Sequence, residues 1–243
     1  MSDLTNLTEM TDQKAIYKQQ AAEHAAQLVA SGMAVGLGTG STAIFATRYI
    51  ARLLQEGKLQ RIVAVATSDA VHKEAAQLGI PMLDPGISQR LDITIDGADE
   101  VDPDLNLIKG AGGALLREKI VAQASERVVI VIDDSKLSPV LGTRASLPVE
   151  VLAFGWRSQQ RFLDRLKLHP QVRTGESADP YKTDSGNMIL DCETGAIPDI
   201  RVLAAILGSR AGIVEHGLFP GLATDIIVAG ENGVRHVTRP IIE

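Results

Sequence analysis

Short apolar runs alternate with amphipathic stretches over the first 132 residues, and this alternation predicts a parallel sheet covered by helices. The predicted strands are residues 33–37, 62–66, 81–83, 91–95, 105–108 and 128–132. The predicted helices are residues 12–30, 42–54, 70–78 and 114–124. We therefore expect an α/β fold built on a Rossmann-like, doubly wound and mostly parallel sheet.

The pattern changes after Pro148, where short strands and helices suggest a second, smaller α+β domain. Its predicted strands are 149–152 and 188–191, and its predicted helices are 157–168 and 200–207. Near the end of the chain, Asn232-Gly233 separates two apolar runs and is typical of a hairpin turn. We expect a Rossmann-like catalytic domain of residues 1–145 and 218–243, and a small ferredoxin-like domain of residues 146–217.

Composition narrows the class of protein. No apolar run reaches the length of about 18 residues that a membrane span needs. The N-terminus carries Asp3 and Glu9 where a signal peptide would be basic and then apolar, so we expect a cytoplasmic protein. One cysteine and five scattered histidines give no metal-ligand spacing, so no metal site is expected. The net charge of −6, without a basic stripe, argues against nucleic acid as a partner. A small anionic ligand needs only local cations and amides.

The first candidate segment lies between a predicted strand and a predicted helix. It contains Gly38, Thr39, Gly40, Ser41 and Thr42. Glycines let the backbone approach a ligand closely, and a helix N-terminus offers amide groups to a phosphate. The spacing matches neither the dinucleotide fingerprint nor a P-loop. The alternative is a tight turn whose serine or threonine caps the helix.

The second candidate segment follows the strand that ends at Ile95. It contains Asp96, Gly97, Ala98, Asp99 and Glu100. Ligands of open α/β sheets bind at the carboxyl ends of the strands, where aspartates can accept hydrogen bonds from sugar hydroxyls. The alternative is an acidic, solvated turn, and we expect Glu100 to face solvent.

The third candidate segment joins a lysine at a strand end to a glycine-rich turn. It contains Lys109, Gly110, Ala111, Gly112 and Gly113. The helix that follows carries Glu118. An ammonium, several backbone amides and one carboxylate around a small cavity suit proton transfer next to a carbonyl. The neighbouring Arg117 and Lys119 are expected to be surface charges.

Lys136 is a fourth candidate. It follows the apolar strand at 128–132, within Asp133-Asp134-Ser135-Lys136. At the carboxyl end of a strand its ammonium can reach a phosphate or a sugar oxygen. A solvated loop lysine is the alternative.

Together these segments resemble the ribose-5-phosphate isomerase A family. The similar stretches occur in the family's order and at similar spacings, and they are residues 38–42, 96–100, 109–113, 117–119 and 135–136. Weaker similarity continues through residues 147–151, 184–191 and 217–219. The predicted small domain is therefore part of the family plan.

The resemblance implies a metal-free isomerase without an organic cofactor, assembled as a homo-oligomer, either a dimer or a tetramer. It implies interconversion of D-ribose 5-phosphate and D-ribulose 5-phosphate through a cis-enediolate, in the non-oxidative branch of the pentose phosphate pathway. Glu118 would be the base that moves the proton, with Asp96 and Lys109 as further catalytic groups. The implied contacts to the sugar phosphate substrate are Thr39, Gly40, Ser41, Thr42, Asp96, Gly97, Ala98, Asp99, Lys109, Gly110, Ala111, Gly112 and Lys136.

Ala111 departs from the glycine expected in many relatives, and it would be strained if its φ were positive. Two functions from other classes stay open. A sugar-phosphate sensor would bind the same ligand without a base, but would normally carry a DNA-binding helix-turn-helix. An acyl or CoA transferase would use a glutamate as a covalent nucleophile, yet nothing in the sequence suggests an adenine site.

Overall fold

The structure is a computed structural model that describes the backbone of residues 2–175 and 178–239, and side chains from residue 13 onward. Its contacts divide the chain into two compact units. The first unit comprises Met1–Gly97, Ala124–Ser135 and Thr224–Glu243. The second comprises Ala98–Gln123 and Lys136–Ala223. The expected division of the chain at residues 145 and 218 stays a prediction.

A six-stranded sheet forms the centre of the first unit. Its strands are β1 (Ala34–Leu37), β2 (Val63–Ala66), β3 (Leu91–Asp96), β6 (Ser125–Asp133), β12 (Asp225–Gly230) and β13 (Gly233–Thr238). The helices of this unit are α1 (Ser2–Ala26), α2 (Ala43–Gln55) and α3 (Asp69–Gln77). The strand order is β13-β12-β6-β3-β1-β2, and every neighbouring pair is parallel except β12 and β13.

Apolar burial differs between the centre and the edge of this sheet. The run from Val128 to Ile132 in β6 is buried at every position, as expected for a central parallel strand whose two faces are both covered. In contrast, β13 is exposed throughout and lies at the edge of the sheet. Alanines form a buried stripe along α1 at helical spacing, and the small side chains let the helix lie close to the sheet. They are Ala21, Ala22, Ala25 and Ala26.

The exits of β1 and β3 lie side by side, because β1 pairs with β2 on one side and with β3 on the other. Such a switch point is where open α/β sheets bind ligands. The Gly38 amide donates to the Ile95 carbonyl at 2.9 Å. A Cβ at Gly38 would overlap with Asp96 Oδ1, so only glycine permits this close approach.

The second unit contains two antiparallel sheets and three helices. One sheet has the order β11-β5-β4, and the other has the order β10-β7-β9-β8. The strands are β4 (Glu100–Val101), β5 (Leu107–Ile108), β7 (Leu147–Val151), β8 (Pro170–Val172), β9 (Met188–Cys192), β10 (Ile213–His216) and β11 (Leu218–Phe219). The helices are α4 (Leu115–Gln123), α5 (Trp156–Arg165) and α6 (Ile200–Gly208).

The predicted α/β fold, with a mostly parallel sheet and a smaller sheet-containing unit, is confirmed. The predicted terminal hairpin is also confirmed, since β12 and β13 pair in antiparallel register up to Gly230 and Gly233. The predicted strand at residues 81–83 is reduced to a single bridge between Ala64 and Met82.

Glu100 corrects the sequence analysis. It was expected to face solvent, but it is fully buried in the second unit. Its carboxylate accepts hydrogen bonds from the backbone amides of Gly142, Thr143, Arg144 and Ala145, and from the Thr143 hydroxyl. These donors replace the water that a buried carboxylate loses, so Glu100 anchors the 142–145 loop rather than binding a ligand.

A buried carboxylate also fastens the terminal hairpin in the first unit. Arg127 Nε and Nη2 donate hydrogen bonds to the two Asp225 carboxylate oxygens, at 2.9 and 2.7 Å. His236 Nε2 lies 2.7 Å from Asp225 Oδ1. Burial alone would raise its pKa, but the hydrogen bonds from Arg127, Thr224 and His236 lower the pKa of Asp225 to about 2. Asp225 therefore stabilises the fold above its unfolded pKa of about 4, and this contribution is lost as the pH falls towards about 2.

We expect Asp225→Asn to lower the free energy of unfolding at pH 7 by about 2 kcal/mol, because charge-assisted hydrogen bonds are lost. Urea denaturation of both proteins at pH 7, 4 and 2.5 measures this difference. It should shrink as the pH falls, since wild-type Asp225 then takes up a proton. A difference that stays constant with pH would contradict the assigned pKa.

Candidate active site

In the first unit, the loop after β1 meets the end of β3. The Thr39 amide donates to Asp96 Oδ1 at 3.1 Å, and the Gly97 amide donates to the same oxygen at 2.7 Å. Asp96 is only 2% exposed. The first two candidate segments therefore meet at Asp96, at the switch point of the sheet.

The Thr39 hydroxyl is held by two residues that the sequence analysis missed. Its oxygen lies 2.7 Å from Thr67 Oγ1 and 2.8 Å from Ser68 Oγ. Thr67 follows β2 directly, and Ser68 caps α3. Two consecutive hydroxyl residues at the carboxyl end of a strand next to β1 were the signal that could have identified them.

The amides that open α2 lack hydrogen-bond partners among the described residues, as an anion would require. Thr42 stands at the N-cap position without a side-chain capping hydrogen bond. Within the described residues, no group accepts from the backbone amides of residues 40–43. Lys18 of α1 adds a cation, because its Nζ donates to Ser41 Oγ at 3.0 Å on the surface. Amides at a helix N-terminus beside an ammonium favour a bound anion.

In the second unit, Lys109 and Glu118 form a buried ion pair. Lys109 Nζ lies 3.1 Å from Glu118 Oε1, and the two side chains are 4% and 5% exposed. Lys109 follows β5, while Glu118 lies in the first turn of α4. The two residues are nine positions apart in the sequence, and the turn between β5 and α4 brings their side chains together. The ammonium and the carboxylate that were expected around one small cavity thus lie together, as an ion pair.

The glycine-rich turn between them is shaped by positive φ at two glycines. Gly110 has a φ of +111° and Gly113 a φ of +80°. Ala111 is absent from the non-glycine residues with positive φ, so its Cβ causes no backbone strain. Its amide donates to Asp99 Oδ2 at 2.9 Å, which joins the second candidate segment to the third.

Lys119 corrects a second expectation, because it is buried rather than at the surface. Its Nζ donates to Glu215 at 2.6 Å and to the His216 carbonyl at 2.7 Å. Burial lowers the pKa of Lys119, and burial next to this ammonium lowers the pKa of His216 to about 4. Both Lys109 and Lys119 face the Phe219 ring, at 5.7 and 4.7 Å from its centroid. Lys119 thus ties α4 to β10.

The structure therefore brings together Thr39, Asp96 and Gly97 in one unit, and Asp99, Ala111, Lys109 and Glu118 in the other. Lys136 ends a 3-10 turn, Asp134–Lys136, and is half-buried. No described residue bonds to its ammonium.

Two features are absent from the described residues. They contain no group of three or more His, Cys, Asp or Glu side chains placed to hold a metal ion. None of their helices is both long enough and apolar enough to cross a bilayer.

Comparison with known proteins assigns this arrangement to a family. Residues 63–233 match the family model described as ribose 5-phosphate isomerase A (phosphoriboisomerase A). Ribose-5-phosphate isomerase A of Chloroflexus aurantiacus is 56% identical over 221 residues, which are 91% of this chain and 92% of that protein. The chain belongs to the ribose 5-phosphate isomerase A family. The predicted membership, and with it the isomerase class, is confirmed.

Solved structures of the family share the fold. A D-ribose-5-phosphate isomerase in complex with phospho-erythronic acid has a TM-score of 0.89 at 33% identity, over 92% of this chain and 98% of that chain. Ribose 5-phosphate isomerase from Plasmodium falciparum has a TM-score of 0.87 at 34% identity, over 92% and 98%. The family match therefore covers both units.

Proposed function

We propose that this chain interconverts D-ribose 5-phosphate and D-ribulose 5-phosphate through a cis-enediolate, with Glu118 as the base. The buried Lys109–Glu118 pair carries the proposal, because it places a carboxylate beside a fixed cation in a protein of this family. Aldose-ketose isomerisation moves one proton between C2 and C1. A single carboxylate can take it from one carbon and return it to the other.

Lys109 has a distinct role in this mechanism. Proton removal next to a carbonyl leaves negative charge on the enediolate oxygens, and a buried ammonium stabilises that charge more strongly than water would. Lys109 Nζ is already desolvated at 3.1 Å from Glu118, so little reorganisation is needed during the reaction. The pair thus supplies the base and the electrostatic partner.

The substrate contacts are part of the same proposal. In the first unit they are Thr39, Gly40, Ser41, Thr42, Asp96 and Gly97, whose amides and hydroxyls suit a phosphate and sugar oxygens. In the second they are Ala98, Asp99, Lys109, Gly110, Ala111, Gly112 and Lys136. A closed furanose must open before it isomerises, and the carboxylate of Asp96 or Asp99 exchanges the proton required.

Incubation of the purified protein with ribose 5-phosphate tests the proposal, with ribulose 5-phosphate measured as product. We expect turnover that survives dialysis against a strong chelator, because the residues proposed to act need no metal. Recovery of a lost activity by a divalent ion would overturn the metal-free mechanism. Binding without turnover would favour a sugar-phosphate sensor instead.

The cellular setting belongs to the proposal as well. We place the enzyme in the cytoplasm, in the non-oxidative branch of the pentose phosphate pathway, as a dimer or tetramer without an organic cofactor. Sedimentation at micromolar concentration would measure the assembly.

A further inference from the structure

Arg173 contacts the glycine-rich turn from outside the candidate segments. It follows β8 directly, and its Nη1 donates to the carbonyl oxygens of Gly110 and Ala111, each at 3.0 Å. These two carbonyls belong to the turn between Lys109 and the helix that carries Glu118. One guanidinium nitrogen therefore holds two consecutive peptide groups of the turn.

The guanidinium is itself fixed by Asp191 of β9. Its Nε and Nη2 donate to the two carboxylate oxygens at 2.8 and 2.5 Å, and the Arg173 side chain is only 15% exposed. The Tyr181 ring lies 5.8 Å from the guanidinium carbon. A planar fork held by a bidentate carboxylate has a defined direction, so its remaining nitrogen is aimed at the turn.

Peptide planarity determines what this contact does to the amides. The carbonyl of one residue and the N–H of the next point in opposite directions. Because Arg173 binds the Gly110 carbonyl, the Ala111 amide must point away from it, and this amide donates to Asp99 Oδ2. The Ala111 carbonyl is held in the same way, so the Gly112 amide also points away from Arg173. No described group accepts from that amide.

We propose that Arg173, fixed by Asp191, is a positioning residue that orients the Gly112 amide towards the anionic sugar phosphate. The inference rests on the proposed function, since the 109–112 turn is assigned there to substrate contact. A preorganised amide stabilises developing negative charge without reorganisation, whereas a turn free to rotate its peptides would not. Arg173 acts through the turn and need not touch substrate.

The test compares Arg173→Lys and Arg173→Ala with wild type, using Arg127→Lys as the matched control. Arg127 makes the same bidentate contact with Asp225 but holds the terminal hairpin. We expect kcat for ribose 5-phosphate to fall about 30-fold in both Arg173 variants, with KM changed less than about threefold, since misplaced groups cost up to about 100-fold. The Arg127 variant should lose stability but keep kcat.

Two further readouts separate positioning from simple loss of stability. Guanidinium at low millimolar concentration should raise kcat of Arg173→Ala at least about fivefold, because the ion can occupy the vacated position. Hydrogen-deuterium exchange should be faster in the 109–113 segment of Arg173→Lys.

Wild-type kcat in both variants, or unchanged exchange in that segment, would overturn the role of Arg173. Failure of the wild-type enzyme to isomerise would instead overturn the proposed function, and the exchange measurement would still decide whether Arg173 orders the turn.

Discussion

Replacing Glu118 with Gln should lower the turnover of ribose 5-phosphate by about 10² to 10⁴, because the amide keeps the shape of the side chain but cannot accept the proton. Glu118 is 4% exposed and lies in the first turn of α4, so water does not readily take its place as the base. Steady-state kinetics of the variant, with product measured directly, checks this expectation.

Substrate binding should survive the same change. The proposed contacts to phosphate and hydroxyls lie on other residues, so affinity for ribose 5-phosphate should change by about tenfold at most. In heavy water the wild-type enzyme should place deuterium on C1 of ribulose 5-phosphate, the carbon that receives the transferred proton, because a carboxylic acid exchanges its proton with solvent. A hydride shift would leave no such label.

Glu100→Gln is the matched control for Glu118→Gln. Both glutamates are buried in the second unit. Among the residues that the structure describes, the Glu100 carboxylate accepts hydrogen bonds only from the 142–145 loop. The control should lower the free energy of unfolding by about 2 kcal/mol while kcat stays within about threefold of wild type. Near-normal isomerisation by Glu118→Gln, or product without solvent deuterium, would show that the single-glutamate mechanism is wrong.

The sequence predicted the features that depend on local pattern. The alternation of apolar runs and helices was sufficient for the parallel sheet, because its strands carry short runs of buried apolar residues, such as Val128 to Ile132 in β6. The approach of Lys109 to Glu118 was also predictable, since a strand end, a glycine-rich turn and the first turn of a helix separate them by nine positions.

Long-range partners were not predictable in the same way. Glu100 was expected in solvent because an acidic residue after Asp96 and Asp99 looks like part of a polar turn, yet its donors lie more than 40 positions along the chain. Arg173 donates to the Gly110 carbonyl of the glycine-rich turn, which lies 63 positions earlier in the sequence. The two-residue strands β4 and β11 are too short to produce a periodic signal, and they form because β5 lies between them.

Lys109→Met tests the other half of the buried pair. The thioether side chain retains the apolar stem of lysine but has no charge, so the enediolate would lose the cation that we propose stabilises it. We expect kcat to fall by about 10² and the free energy of unfolding to fall by about 3 kcal/mol, because the buried Glu118 carboxylate loses its ion-pair partner. Kinetics and urea denaturation of the variant measure the two effects.

Lys119→Met provides the comparison, since Lys119 is equally buried and faces the same Phe219 ring but pairs with Glu215. It should lower stability while leaving kcat within about threefold of wild type. Equal losses of kcat in both lysine variants would mean that Lys109 acts only by supporting the fold.

The double variant Lys109→Met/Glu118→Gln separates charge pairing from packing. Each single change removes one charge of the Lys109–Glu118 pair, whereas the double change removes both. The double variant should therefore unfold at a higher urea concentration than the additive sum of the single variants predicts, with a coupling energy of about 1 to 3 kcal/mol.

The kcat of the double variant should lie within about threefold of the kcat of Glu118→Gln. Without the base no enediolate forms, so a cation that stabilises the enediolate then contributes little. Additive effects on both stability and kcat would show that Lys109 and Glu118 work independently, and the proposed division into base and electrostatic partner would then be wrong.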